Sequence, residues 1–259
     1  MSVKSKVLAG AAALTLMGGL GVAGLGAAGV ANAATPSCGN SCIDIFSHDF
    51  GTYSNPQFLL DVYKRGQNVG QPVILFRVSN ADPALDWTIS DQGTVADFYA
   101  AGLVSSTLAL HYGCIAGVDF PDCFGTSSNV NLQAFEVEYA PYGADTGLCM
   151  GVAATATQGE KVSLQPCGVS SKTVWVEDDL DAILNPGFSI PLINGSDTNF
   201  SQPFVLTYPA NSFPTDMPRP QLNVSNLTGF SGNVPPGIPE LGTVSDTQLW
   251  NVNLFGQVF

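Results

Sequence analysis

The chain has three tryptophans, Trp87, Trp175 and Trp250, and each closes the same succession of short apolar segments. The fullest copy runs from an apolar segment at 148–152 through Val162-x-Leu164 and Cys167 to Trp175. Upstream, Leu60-Asp61-Val62 leads to Val73-x-Leu75, then to Val78 in the position of the cysteine, then to Trp87. A looser third copy has an apolar segment at 204–207, Leu222-x-Val224, a long insertion and Trp250. This repetition constrains the fold more than composition does. One copy cannot bury its own apolar face, so the three must share a core.

The segments themselves are short and β-rich. PQFLLDVY, QPVILFRV, DWTIS, SSTLALHY, QAFEVEYA, GLCMGVA, EKVSLQP, TVWVED, QPFVLTY, PQLNV and LWNVN read as strands punctuated by Gly, Pro, Asn and Asp. Only 94–102 offers a helical pattern. Prolines bar ladder hydrogen bonds, so 210–220 and 225–244, the second containing PPGIP, are expected to be long loops. The fold class is therefore all-β. Closing such a sheet into a barrel removes its exposed edges, with alternate residues of each strand facing the core. One tryptophan per copy around a pseudo-threefold axis would fill the barrel's base, each indole N–H needing one partner.

The chain opens with Lys4 and Lys6, an apolar run rich in Gly and Ala, and Ala31-Asn32-Ala33 before Ala34. That is the pattern of a secretory signal cleaved after residue 33, which predicts a secreted, extracellular protein. An uncleaved membrane anchor is the alternative for the same run. A short N-terminal extension, 34–45, then precedes a folded domain at 46–259. With 21 acidic residues against 8 basic ones and a formal charge of -13, the chain would repel phosphate backbones and anionic lipid. Nucleic acid and membrane surfaces are thus not expected partners. The six cysteines, an even number in an exported chain, imply disulfides. Fifteen pairings are possible, and clustering favours neighbours: Cys38 with Cys42, Cys114 with Cys123, Cys149 with Cys167. The two histidines, His48 and His111, do not complete a Cys/His group at zinc spacing, so no metal and no cofactor is expected.

These residues resemble the β-trefoil of the R-type, ricin-B-like lectins, in a secreted bacterial form with degenerate Q-x-W repeats. Each subdomain of that family runs through a C-x-D-x strand, a V/I-x-L-x-x-C strand and a terminal Q-x-W. Copy one matches with LLDV at 59–62, VILFRV at 73–78 and SNADPALDW at 79–87. Copy two matches with LCMGV and KVSLQPC, and copy three ends on Gln248-Leu249-Trp250. The resemblance covers most of the chain from about Phe46 onward, and it places Cys149 and Cys167 where the family has a disulfide within a subdomain.

Sugar binding in that family uses an aspartate on the first of these strands, an aromatic after V-x-L, and an Asn-Gln pair before the tryptophan. A carboxylate and amides clamp vicinal hydroxyls while an aromatic face stacks on the sugar. The resemblance implies Asp61 and Phe76 in the first two roles of copy one, with Ala84 and Leu85 standing where the amides would be. In copy two Gly151, Gln165, Lys172 and Thr173 replace the set, which implies a structural copy. Copy three keeps Gln248 but has Thr247 in place of the asparagine and no aspartate in PFVLTY. Each candidate also has a plain structural role open to it. Asp61 could pair with Lys64 or Arg65, Phe76 could cover the barrel's flank, and Gln248 could cap a buried backbone group.

Other chemistry finds little support. No GxSxG elbow occurs, and His48 and His111 are ordinary packed or surface imidazoles by default. Glu177, Asp178, Asp179 and Asp181 lack the calcium-loop pattern and read as a solvated acidic turn. Asn194, Asn199, Asn223 and Asn226 begin glycosylation sequons. The expectation is a secreted, non-catalytic β-trefoil that binds a glycan or polysaccharide weakly at copy one. The alternative is a protein-binding or inhibitor scaffold whose contact surface is the loops at 210–244.

Overall fold

The structure, a computed structural model, describes residues 43–52, 55–77, 86–111, 133–177, 189–199, 202–228 and 244–253. Copy one supplies β1 (Asp44–Ser47), a small ribbon of β2 (Gly51–Thr52) and β3 (Asn55–Pro56), then β4 (Phe58–Val62), β5 (Val73–Arg77) and β6 (Trp87–Thr94). Copy two supplies β7 (Gln133–Tyr139), β8 (Leu148–Val152), β9 (Val162–Pro166) and β10 (Val174–Glu177). Copy three supplies β11 (Leu192–Asn194), β12 (Phe204–Thr207), β13 (Asn223–Asn226) and β14 (Trp250–Asn253).

The pairing repeats from copy to copy. In each copy two strands form a hairpin, β4 with β5, β8 with β9 and β12 with β13, which sets Leu60 opposite Leu75, Met150 opposite Leu164 and Leu206 opposite Val224. The last strand of each copy pairs antiparallel with the first strand of the next: β6 with β7, β10 with β11, and β14 back to β1. First and last strands also meet within a copy. β7 pairs with β10, Ile190 at the entrance to β11 bridges Trp250, and the Ile43 N–H donates to the Trp87 carbonyl at 3.0 Å. Six strands therefore form a ring with no free edge, which is how an all-β chain avoids pairing with other chains.

The three hairpins are also tied to one another. The Leu164 N–H donates to the Gln71 carbonyl, Val162 to Leu222, and Leu222 to Val73, each at 2.9 Å. A six-strand barrel capped by three mutually bonded hairpins around a pseudo-threefold axis is a β-trefoil. Its interior is filled by alternate residues along the hairpins: Leu60 and Val62, Met150 and Val152, Leu206 and, just past β12, Tyr208, all 1 % exposed or less. Burying each such side chain contributes about 1.5–3 kcal/mol.

The three tryptophans hold equivalent positions. Each is buried, and each indole N–H donates to a carbonyl on the first strand of its own hairpin: Trp87 to Leu60 at 2.9 Å, Trp175 to Met150 at 3.0 Å, Trp250 to Leu206 at 2.8 Å. Cys149 and Cys167 form the disulfide that the resemblance and their proximity imply, joining the hairpin of copy two. Cys38, Cys42, Cys114 and Cys123, like the expected leader at 1–33, lie outside the described residues.

Three local expectations need correction. The segment SSTLALHY is not a strand: Ser106–His111 is a helix, α2, following the capped helix α1 (Val95–Ala100). Ser105 decides this, because its hydroxyl accepts the Leu108 N–H at 3.0 Å while Leu108 and Ala109 pack on Val95 and Phe98. A short apolar run fits either period, and the cap selects the helix. The strands β1 and β11 are additions to the expected set, and β1 begins at Asp44, ahead of the expected domain start at Phe46. Both are short and lack a terminal tryptophan as a marker.

Candidate functional site

Because the hairpins superimpose in register, equivalent positions can be compared directly. Asp61, Gly151 and Thr207 each follow the residue whose carbonyl receives the indole N–H. Only copy one places a carboxylate there. In copy two a Cβ on Gly151 would lie 2.7 Å from the Lys172 carbonyl oxygen and 2.9 Å from Thr173 Cγ2. Backbone thus fills the space that a ligand group would need. Thr173 is itself buried, its hydroxyl donating to Glu136. In copy three Thr207 donates to the Val205 carbonyl at 2.9 Å and receives the Gln248 amide at 3.2 Å.

Asp61 and Phe76 line one cavity of about 290 Å³ at the flank of the copy-one hairpin. They sit on adjacent strands of that hairpin, Asp61 opposite Ile74 and Phe76 opposite Leu59. Asp61 is 3 % exposed, and its Oδ1 accepts the Val62 N–H at 2.6 Å, which orients the carboxylate. The turn after β4 contributes Tyr63, Lys64 and Arg65, with both cationic residues in the left-handed region at φ 56° and 52°. That conformation is costly for side chains with a Cβ, and such turns concentrate at functional sites.

The far side of the cavity comes from the proline-bearing loop at 210–220. Arg219 lays its guanidinium 4.3 Å from the centre of the Phe76 ring, a cation–π contact. Lys64 lies 5.2 Å from the centre of the Tyr63 ring, and Arg65 pairs with the buried carboxylate of Asp86 at 3.4 Å. Arg219 is not among the residues that the sequence pattern singles out. Nothing local marks it, since its partner Phe76 belongs to another copy and only the fold brings the two together.

Gln248 does not join this cavity. It is 2 % exposed, and its amide is spent internally. Oε1 accepts from the Thr228 N–H at 2.8 Å and hydroxyl at 2.9 Å, while Nε2 donates to Thr207 Oγ1 and to the Asn226 carbonyl. A side-chain amide has this bonding capacity and little left over. Its assignment to sugar binding is therefore corrected to a clamp between the loops of copy three. Positions 78–85, which include Val78, Ala84 and Leu85, lie outside the described residues.

Two further chemical candidates are placed by the structure. The Ser189 hydroxyl lies 2.8 Å from His48 Nδ1 and donates to Asn251 Oδ1 at 3.1 Å. Ser189 is 2 % exposed, so this serine–histidine contact is a packed polar link and not an accessible nucleophile. The Asn194 side chain is fully buried, donating to the Lys172 carbonyl and accepting from Ser196, which closes that sequon in the folded chain. The side chain of His111 and the acidic residues 178–181 lie outside the described residues.

No protein-family model and no curated protein matches the sequence. Among solved structures the chain is similar to a designed threefold-symmetric protein, ThreeFoil, at 13 % identity and a TM-score of 0.45, over 82 % of this chain and 97 % of that one. It is also similar to a mosquitocidal holotoxin at 12 % identity and a TM-score of 0.43, over 83 % of this chain and 17 % of that one. The trefoil itself rests on the strand pairing and the three indole hydrogen bonds.

Proposed function

We propose that the protein is a secreted, non-catalytic β-trefoil of the R-type lectin kind that binds carbohydrate at copy one. The observation that carries this is the convergence of Asp61 and Phe76 on one cavity, while the equivalent place in copy two is filled by backbone. A cavity with an oriented carboxylate, several N–H donors and an aromatic wall can clamp the hydroxyls of a sugar ring. Half of the family's clamp is replaced at Ala84 and Leu85, which makes the affinity weak.

The test is binding of the exported protein to a glycan array and to insoluble polysaccharides, with Asp61→Ala and Phe76→Ala alongside. Binding that both substitutions abolish supports the site. No binding by the unmodified protein ends the lectin reading, and undiminished binding by both variants ends the assignment to this cavity.

A second reading, a protein-binding scaffold, is favoured by Phe213 and Met217, which are 63 % and 79 % exposed on the loop at 210–220. Large apolar side chains exposed together on one loop suit a protein contact. A Phe213→Ser, Met217→Ser variant that loses a protein partner yet keeps sugar binding would separate the two readings.

A further inference from the structure

The cavity beside Asp61 gathers half of the basic residues that lie outside the expected leader. Acidic residues number 21 and basic ones 8, of which Lys4 and Lys6 belong to the expected leader. The remaining cations are Lys64, Arg65, Arg77, Lys161, Lys172 and Arg219. Lys64, Arg65 and Arg219 all line this one cavity. They arrive from two segments far apart in sequence, so the concentration is made by the fold and not by a basic run.

Two carboxylates stand beside these three cations. Arg65 is occupied by Asp86, and Asp61 lies on the cavity wall. Among the described residues neither Lys64 nor Arg219 has a carboxylate partner. Lys64 is exposed and Arg219 half-buried, so both keep N–H donors for a ligand. The Phe76 ring seats the guanidinium of Arg219. A guanidinium carries paired N–H groups in a planar fork, which can meet a carboxylate with two parallel hydrogen bonds. Phe76 then positions Arg219 as well as walling the cavity, and a sugar entering it meets cationic donors beside the Asp61 carboxylate.

We infer that the cavity takes a carboxylated sugar, a uronic acid residue at the end of a glycan, with Arg219 and Lys64 on its carboxylate and Asp61 on its hydroxyls. This rests on the carbohydrate reading above and narrows it. A volume of about 290 Å³ has room for little more than one ring. The formal charge of -13 repels a long chain of carboxylates while leaving a single terminal one free to enter.

The experiment titrates the exported protein with oligosaccharides ending in glucuronate, galacturonate or mannuronate, each paired with its methyl ester and with a neutral sugar of the same ring. A sulfated neutral sugar serves as a second anion. The expected result is that one acid binds at least about tenfold tighter than its ester, the effect of a charge-assisted contact. The preference should fall to near unity in Arg219→Gln and shrink in Lys64→Gln, with melting temperatures unchanged, and it should weaken as salt is raised.

An ester or neutral sugar bound as tightly as the acid overturns the inference and leaves carbohydrate binding standing. Equal binding of the sulfated sugar overturns selectivity for carboxylate. Acid binding that survives both Arg219→Gln and Asp61→Asn overturns the assignment to this cavity. Failure of every saccharide, acidic or neutral, overturns both readings together.

Discussion

The indole N–H of Trp250 donates to the carbonyl of Leu206 at 2.8 Å, across the whole of the insertion that separates the end of copy three from its hairpin. The same bond in copies one and two spans a far shorter stretch of chain. Substituting phenylalanine removes the donor, strands a buried carbonyl and opens space at the base of the barrel. Each of Trp87→Phe, Trp175→Phe and Trp250→Phe is expected to cost about 2–4 kcal/mol in urea denaturation. Costs that differ widely among the three would show that the threefold equivalence is geometric only.

Gly151 stands in copy two where copy one has Asp61. Restoring an aspartate there should not restore a site, because the Cβ alone meets the Lys172 carbonyl at 2.7 Å. Gly151→Asp is expected to destabilise by about 1–3 kcal/mol and to leave the number of bound sugars per chain unchanged. A stable variant with a second site by calorimetry would show that the turn at 170–173 can move aside.

Gln248 separates clamping from binding. Gln248→Leu strands the Thr228 N–H and the Asn226 carbonyl, so a loss of about 1–3 kcal/mol is expected. Sugar affinity at copy one should not change. A variant of wild-type stability with lost binding would return this residue to the ligand.

Acidification should stabilise the protein. Burial lifts the carboxyls of Asp44 and Asp197 from 3.8 to about 6, with the N–H groups of Asn199, Phe204 and Thr198 partly opposing the shift at Asp197. A carboxyl with a raised folded-state pKa favours folding most below its unfolded value, and that advantage is lost as pH rises through the folded value. Between pH 7 and pH 4 these groups together should therefore raise stability, each by up to about 3 kcal/mol. The exposed Asp97, lowered by hydrogen bonds from Thr94, works weakly in the opposite direction. Asp44 Oδ1 is buried without a hydrogen-bond partner, so Asp44→Asn should stabilise the protein at pH 7 and flatten the profile. Chemical denaturation at pH 4, 5.5 and 7 checks both, and a wild type least stable at pH 4 would contradict the assignment.

The parts of this fold that could be read in the sequence are those with a repeating marker. Three tryptophans at the ends of like-ordered segments disclosed the hairpins, because burial of alternate residues forces period two and the indole needs the same partner each time. The strands β1 and β11 carry no such marker; β1 places Asp44 and Ser47 inside the barrel wall, which breaks the apolar alternation. The candidate site was half legible. Asp61 and Phe76 follow from a family pattern along one hairpin, whereas Arg219 belongs to a loop whose position only tertiary packing determines. Gln248 shows the opposite failure, in which the right residue type at a familiar place serves its neighbours and not a ligand.

The pairing of Ser47 with Trp250 joins the first strand to the last. A chain wound in this way has no half that can complete itself: whichever copy forms first keeps a raw edge until the final strand arrives. Folding is then held back by the slowest search the chain can make, between segments at its opposite extremes. A product shortened before Trp250 would present two unpaired strands to its neighbours and associate rather than fold.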